Sequence, residues 1–457
     1  METISQKWAK FALGLHYEDI PSEALEETKR FLLDSVGCAL SAVENKDTQA
    51  LFRYIQDLGG EKQATVIGWG LKTNMPQATL MNSLLIRARD YNDIYWEQDP
   101  SHPSDIIPAA LSAGEFKERS GKEVLVGIVL AYELEMRLCQ AAFPGIREIG
   151  WHHATLTQFV SPVVAGRMLG LDEEKVAAAV GISGSSHFTS GGVVAGHLTN
   201  MKNTADPLAV EAGVEAALLA EKGYTGPEEV FEGKEGLFEV LDKVKWNKDV
   251  LLKGLGERFL ITDCAYKAFP TEALTHQPVT AALEVMQENH LNPHEVKEVL
   301  VETTTRGADI LSDPSKYKPT TRETADHSLP YCIAVAVAKG NVLPSDFEEE
   351  ALRDSFVWSL LDKIKVVANP QIDSLFPKVK RAIVSIKTSR GVYKKLEDFA
   401  KGQPERPLSD EELISKFKAN AKEKISSQRM EDIIEATKEI ENVERIGEYI
   451  KLLVSDK

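Results

Sequence analysis

The sequence predicts a mainly α protein, with a large all-helical domain built from both chain ends and a smaller α/β domain as a lid. Three observations support this. Up to about Cys264 the apolar residues recur at helical spacing. Beyond it, short β-branched runs separated by turn residues take over. After Gln403-Pro404-Glu405-Arg406-Pro407 the helical pattern returns, so the C-terminus is expected to pack on the first domain. The expected boundaries are 1–262 with 405–457 for the helical domain and 263–404 for the lid.

Taken in order, Ser22 before Glu23-Ala24-Leu25-Glu26 reads as an N-cap with an acidic first turn. Leu25 to Val43 then repeats apolar residues at helical spacing. Gln63 to Trp69 is β-branched and reads as a loop or edge strand. Helices are expected over Pro76–Arg89, Ile106–Arg119, Gly121–Ala142, Ala154–Leu169 and Asp172–Ile182, the last capped by Asp172. Ala209 to Lys222 is an Ala-rich helix stopped by Gly223-Tyr224-Thr225-Gly226-Pro227. In the mixed segment Glu298–Thr305, Lys363–Ala368 and Arg381–Thr388 read as strands. The last of these turns at Ser389-Arg390-Gly391 into Val392-Tyr393 as a hairpin. Helices are expected at Thr275–Gln287 and His327–Ala338. Ser409-x-x-Glu412 is a capping box opening a final helical run, Glu411 to Leu453.

A formal net charge of −17 argues against a broad nucleic-acid or anionic-membrane surface. An anionic substrate would need locally placed cations. Cys38, Cys139, Cys264 and Cys332 are widely spaced with no CxxC pair, so neither a zinc knuckle nor a redox dithiol is signalled. They suit buried packing in a reducing cytosol, and a cytoplasmic protein is expected. Met1 to Leu13 lacks a basic region followed by an apolar run, and no long apolar stretch suggests a membrane span.

The stretch from Asp90 to Asp105 is dense with carboxylates and contains His102, yet helix-like sequence flanks it. A polar knot between buried helices is costly unless solvated, paired or used. Five other places hold reactive side chains: Gly150-Trp151-His152-His153, the loop Ser183 to Gly192, Lys202, Lys267 before Phe269-Pro270, and Asp326-His327 with Tyr331. Singly each has an ordinary explanation. Adjacent histidines are expected to face different sides and make a poor metal pair. The Ser/Gly loop matches no nucleotide motif, and Ser185 and Ser186 lack the nucleophile elbow. Together they suit one chemistry. Two lysines bind carboxylates and stabilise an enolate-like intermediate. Histidine, aspartate and tyrosine move protons to and from carbon and a leaving hydroxyl.

These residues resemble the MmgE/PrpD family, which includes 2-methylcitrate dehydratase, cis-aconitate decarboxylase and iminodisuccinate epimerase. The resemblance rests on Phe31 to Cys38, Asp90-Tyr91-Asn92-Asp93 with His102-Pro103-Ser104, Gly150-Trp151-His152, Lys202, Gly223 to Pro227, Lys267-x-Phe269-Pro270 and His327-Ser328-x-Pro330-Tyr331. It implies the same two-domain fold, a homodimer, no cofactor and no metal. It also implies active-site positions Asp90, His102, His152, Lys202, Lys267 and Tyr331 between the domains. Ile94 stands where the decarboxylase branch has threonine, and the Asp90–His102 spacing looks like the 2-methylcitrate dehydratase branch. Gly150-Trp151-His152 is closer to the decarboxylase and epimerase branches. The expected activity is therefore a hydro-lyase on a citrate-like tricarboxylate in propionate catabolism. Decarboxylation, epimerisation of an amino-dicarboxylate, or non-catalytic binding stand as alternatives. His102 or His152, tuned by Asp90, would be the base; Tyr331 or the other histidine would be the acid.

Overall fold

The computed structural model describes residues 2–97, 99–195 and 198–457. Helices predominate, and the strands are confined to small sheets, in accord with the predicted fold class. Apolar side chains gather into two large cores. One runs from Ile4 to Tyr266 and resumes from Leu408 to Leu453; the other spans Leu274 to Ile386.

The first core is centred on the Ala154–Leu169 helix, in which every residue but Arg167 is buried. Such an all-round apolar helix is stable only inside a bundle. It packs on Met201–Glu221, and Gly213 allows the close approach: a Cβ there would meet Ser161 Oγ at 2.0 Å. Met201–Glu221 starts two turns earlier than the predicted Ala209 and runs through Pro207. Burial of Ala205, Ala209 and Val210 compensates for the backbone bond that proline removes.

The C-terminal segment packs into the first core, with the Ser409 capping box formed. It is three helices rather than one run: Asp410–Ala421, Ser427–Lys438 and Ile446–Leu452. Lys416 pins the first of these to the N-terminal part of the core. Its ammonium lies 2.7 Å from Asp34 on the Ser22–Ser41 helix and donates to Tyr91 O at 2.8 Å. Ser22 is the first helical residue there, not its cap; Pro21 holds that position. Gln63–Trp69 supplies only the two-residue strand Ala64–Thr65, paired with Lys72–Thr73.

The second core surrounds a four-stranded sheet ordered Val392–Glu397, Ala382–Lys387, Glu298–Thr303, Ile364–Ala368. The last pair is parallel and the others antiparallel. Alternate residues of Glu298–Thr303 are buried, the period-two pattern that predicted a strand. The His276–Glu288 and Leu329–Lys339 helices pack against it. Ser328 caps the latter, so His327 lies just outside the helix predicted to begin with it.

Candidate active site

Residues from the stretches 87–202, 267–273 and 305–327 line one cleft of about 1250 Å³. Its walls carry seven Lys and Arg against five Asp and Glu. On a chain of net charge −17 this concentrates cations where an anion would sit.

The Asp90–Asp105 stretch is laced to itself. Ser104 donates to Asp93 through Oγ at 2.6 Å and through its N–H at 3.0 Å. Asn92 Nδ2 donates to Ser104 Oγ and to Asp105 Oδ1 at 2.9 and 3.0 Å. These bonds tie the knot together, although Asn92 Oδ1 and Asp105 Oδ2 stay without a hydrogen-bond partner, and Asp90 and His102 face the cleft. The chain enters the knot through Asp90 in the left-handed region, φ 49°. Asp99 fastens the far side by accepting from the Ile146 and Arg147 N–H groups at 2.5 and 3.2 Å. Gln98, within the Tyr95–Ser101 segment expected to tune substrate choice, lies outside the described residues; Trp96 and Pro100 of that segment do line the cleft.

Three cations converge on the Asp90 carboxylate. Arg87 Nη1 donates at 2.5 Å and Lys267 Nζ at 2.8 Å, and Lys202 Nζ stands 3.4 Å away. All four side chains are buried. Burial alone would raise the Asp90 pKa; Lys202, Lys267 and Arg87 outweigh it and hold the carboxyl well below its usual range. Burial lowers the Lys267 pKa, with Asp90 opposing and Arg87 and Lys202 assisting. Arg87 also faces Asp105 at 3.5 Å and Asp206 at 3.8 Å. Lys202 Nζ has no hydrogen-bond partner among the described residues, so its donors are unspent.

The histidines hold opposite tautomers. His102 Nδ1 meets Asp93 O at 2.6 Å, so Nδ1 carries the proton and Nε2 the lone pair. His152 Nδ1 accepts from Ala154 N–H at 3.2 Å, so its Nε2 carries the proton, and that buried group has no partner. Burial first, then neighbouring cationic groups, hold both imidazoles well below the usual histidine range and therefore neutral. His153 Nε2 lies 3.2 Å from Asp206, and its ring is 3.9 Å from that of His152. The expected divergence of the two rings does not occur. They precede the Ala154–Leu169 helix, outside any regular element that would alternate them. The Ser/Gly loop supports this place: Thr189 O accepts from His152 N–H, and Gly191 N–H donates to Gly150 O at 2.8 Å. Ser185 and Ser186 hydroxyls donate to nearby carbonyls.

Asp90, His102, His152, Lys202 and Lys267 thus share one cleft; Tyr331 does not. It is fully buried in the second core and donates to Asp346 O at 2.8 Å. It lies in the first turn of the Leu329–Lys339 helix, which points it away from the cleft. His327, four residues earlier, lines the cleft instead, with Nδ1 2.5 Å from Asp326. Sequence reasoning also missed Arg87 and Asp206, and it named His153 without placing it in the site. Two groups here have metal-ligand spacing, His152-His153-Asp206 and Asp90-Asp326-His327. In both, lysine or arginine already compensates the central carboxylate, an arrangement that suits an anion better than a cation.

Among the described residues no helix is long and apolar enough to cross a membrane. Residues 6–248 match the MmgE/PrpD N-terminal domain and residues 269–440 the MmgE/PrpD C-terminal domain. A cis-aconitate decarboxylase-like protein of Aspergillus oryzae is 26% identical, covering 98% of this chain and 97% of its own. The 2-methylcitrate dehydratase of Salmonella typhimurium is 24% identical over 96% of this chain and 95% of its own. The cis-aconitate decarboxylase of Homo sapiens is 24% identical over 99% and 95%. With both domains matched in order along the chain, this protein belongs to the MmgE/PrpD family.

Proposed function

We propose that the protein is a lyase that dehydrates a citrate-like tricarboxylate without a cofactor, in the manner of 2-methylcitrate dehydratase. The observation that supports it is the pairing of two buried lysines with two neutral histidines of opposite tautomer. Lys202 and Lys267 hold the carboxylate beside the acidic carbon. His102 Nε2 takes the proton from that carbon, and charge moves onto the carboxylate, where the lysines stabilise it more strongly than in the ground state. The C–O bond of the β-hydroxyl then breaks, and the oxygen leaves as water with a proton from His152 Nε2 or His327. Asp90 fixes the lysines, and the smaller unit (263–404) acts as the lid over the helical one (1–262 and 405–457).

Racemic 2-methylcitrate should yield an alkene detectable by its ultraviolet absorbance, and Lys267→Ala should slow its appearance about 10²–10³-fold. Absence of alkene from every citrate-like acid would reject the proposal. A second reading, decarboxylation of cis-aconitate, is supported by whole-chain likeness to decarboxylases. It uses the same lysines and a proton delivered to carbon. Product NMR in D2O separates water loss, CO2 release and the simple deuterium exchange expected of an epimerase. A homodimer in the cytoplasm and a role in propionate catabolism extend the same reading; sedimentation tests the first, and growth of a deletion strain on propionate the last.

A further inference from the structure

Glu135 has no part in the chemistry above, yet it lies inside the scaffold that supports it. It sits on the Gly121–Ala141 helix with no exposed surface. Its Oε1 accepts from Ser101 Oγ and from Thr157 Oγ1, the latter at 2.9 Å, while its Oε2 has no partner. Ser101 immediately precedes His102. Thr157 stands one helical turn after His153 and donates its N–H to His153 O at 3.3 Å. One carboxyl oxygen therefore ties the His102 segment to the helix start that carries His152 and His153. The His102 and His153 rings are 5.5 Å apart across this tie.

We propose that Glu135 is a positioning residue: by holding Ser101 and Thr157 on one oxygen, it sets the spacing between His102 and His152. The inference rests on the proton-transfer reading of those two histidines. The charged and titratable groups around Glu135 are Asp206 from the Met201–Glu221 helix, Asp93 from the polar stretch and Cys139 one turn along its own helix. No ion pair to Glu135 exists among the described residues. Burial pushes its pKa up to about 8; Asp206 and Asp93 add to this, and the two hydroxyls oppose it. At neutral pH the carboxyl keeps its proton and acts as a neutral acceptor. Ionisation would put a third negative charge beside Asp206 and Asp93; the two hydroxyls would hold the carboxylate more tightly, and its repulsion with those aspartates would shift the spacing that the tie sets.

Two variants test this. Wild-type kcat should fall on the alkaline side with an apparent pKa near 8. Glu135→Gln keeps a neutral acceptor of the same shape, so it should retain kcat at neutral pH and lose that alkaline limb. Glu135→Ala should lower kcat by about 10²-fold with far less change in KM, as expected of sub-ångström to 1 Å misplacement. Imidazole 15N NMR of the free enzyme provides a readout without turnover. The His102 and His152 signals should shift through the same transition in wild type and not in Glu135→Gln. Persistence of the limb or of the NMR transition in Glu135→Gln, or equal damage by Gln and Ala, would overturn the proposal. If no citrate-like acid turns over, the lyase reading fails, and the imidazole titration still decides the role of Glu135.

Discussion

The two walls of the cleft are built differently. On the helical wall Asp90, His102, His152 and Lys202 are buried, and the chain around them is fixed by Ser104, Asn92, Asp93 and Asp99. On the facing wall Arg306 pairs with Glu148 and lies 5.2 Å over the Trp96 ring, Lys316 reaches only 4.0 Å from Asp313, and His327 is part-exposed. The first arrangement holds groups where charge or a proton must move, and such preorganisation lowers barriers. The second offers cations with spare donors, which is what binding an extended anion requires. On the proposed reading, the difference gives proton abstraction and charge stabilisation to the buried wall and substrate recognition to Arg306 and Lys316 on the other, where His327 is the one group with a proposed part in proton transfer.

The strongest way to break that assignment is His102→Gln. Loss of a general base costs roughly 10²–10⁴-fold in kcat, with KM little changed. A raised KM with kcat close to wild type would move His102 into binding. Lys267→Ala should follow, at about 10²–10³-fold in kcat, the usual loss for one preorganised charge stabiliser. It also leaves Asp90 with two cations instead of three, so part of the compensation of its buried charge is lost and stability should fall. Thermal unfolding measured beside the kinetics separates the two effects. Arg306→Ala, on the facing wall, should raise KM about tenfold and leave kcat close to wild type, the signature of lost uniform binding. A kcat defect as large as that of His102→Gln would erase the distinction between the walls.

Much of the buried wall was legible because its residue types are costly to bury without use. Asp90, His102, Lys202 and Lys267 could be picked out from a stretch of sequence each. Arg87 could not, because its partners Asp90, Asp105 and Asp206 come together only in three dimensions. Asp206 was hidden by starting its helix at Ala209. Begun at Met201, the helix puts Lys202 and Asp206 four residues apart on one face, the spacing that marks neighbours. The exchange of Tyr331 for His327 has a similar cause. Both belong to one motif, and only the position of the Ser328 cap decides which faces the cleft.

The pH dependence of stability sharpens the buried wall further. His152 has a folded pKa held far below its unfolded value near 6.5, by burial first and by neighbouring charge second. The unfolded chain therefore binds a proton that the folded one excludes, and stability falls as pH drops below about 6.5. Each such histidine contributes a slope approaching 1.4 kcal/mol per pH unit. Buried Asp93 and Asp99, with pKa pushed up to about 6, act in the opposite sense and lose stability as pH rises through that value. The clean observable is a difference: His152→Gln should flatten the acid limb of stability relative to wild type. An unchanged limb would mean that His152 is charged in the folded protein.

The smallest expected effect is the most discriminating for the facing wall. Tyr331→Phe removes a hydroxyl that donates to Asp346 O at 2.8 Å inside the second core. The ring, packed edge-on to Phe347 at 5.9 Å, stays in place. The buried Asp346 carbonyl loses its donor, so stability should drop by about 1–3 kcal/mol, the cost of one unsatisfied buried group. No path leads from that hydroxyl to the cleft, so kcat and KM should match wild type once the variant is folded. His327→Gln, four residues away, should instead impair turnover while sparing the second core. If Tyr331→Phe lowered kcat and His327→Gln did not, the helix that carries Tyr331 would have to turn toward the cleft during the reaction. The contrast between a fixed wall and a recognising wall would then give way to one in which the second core moves.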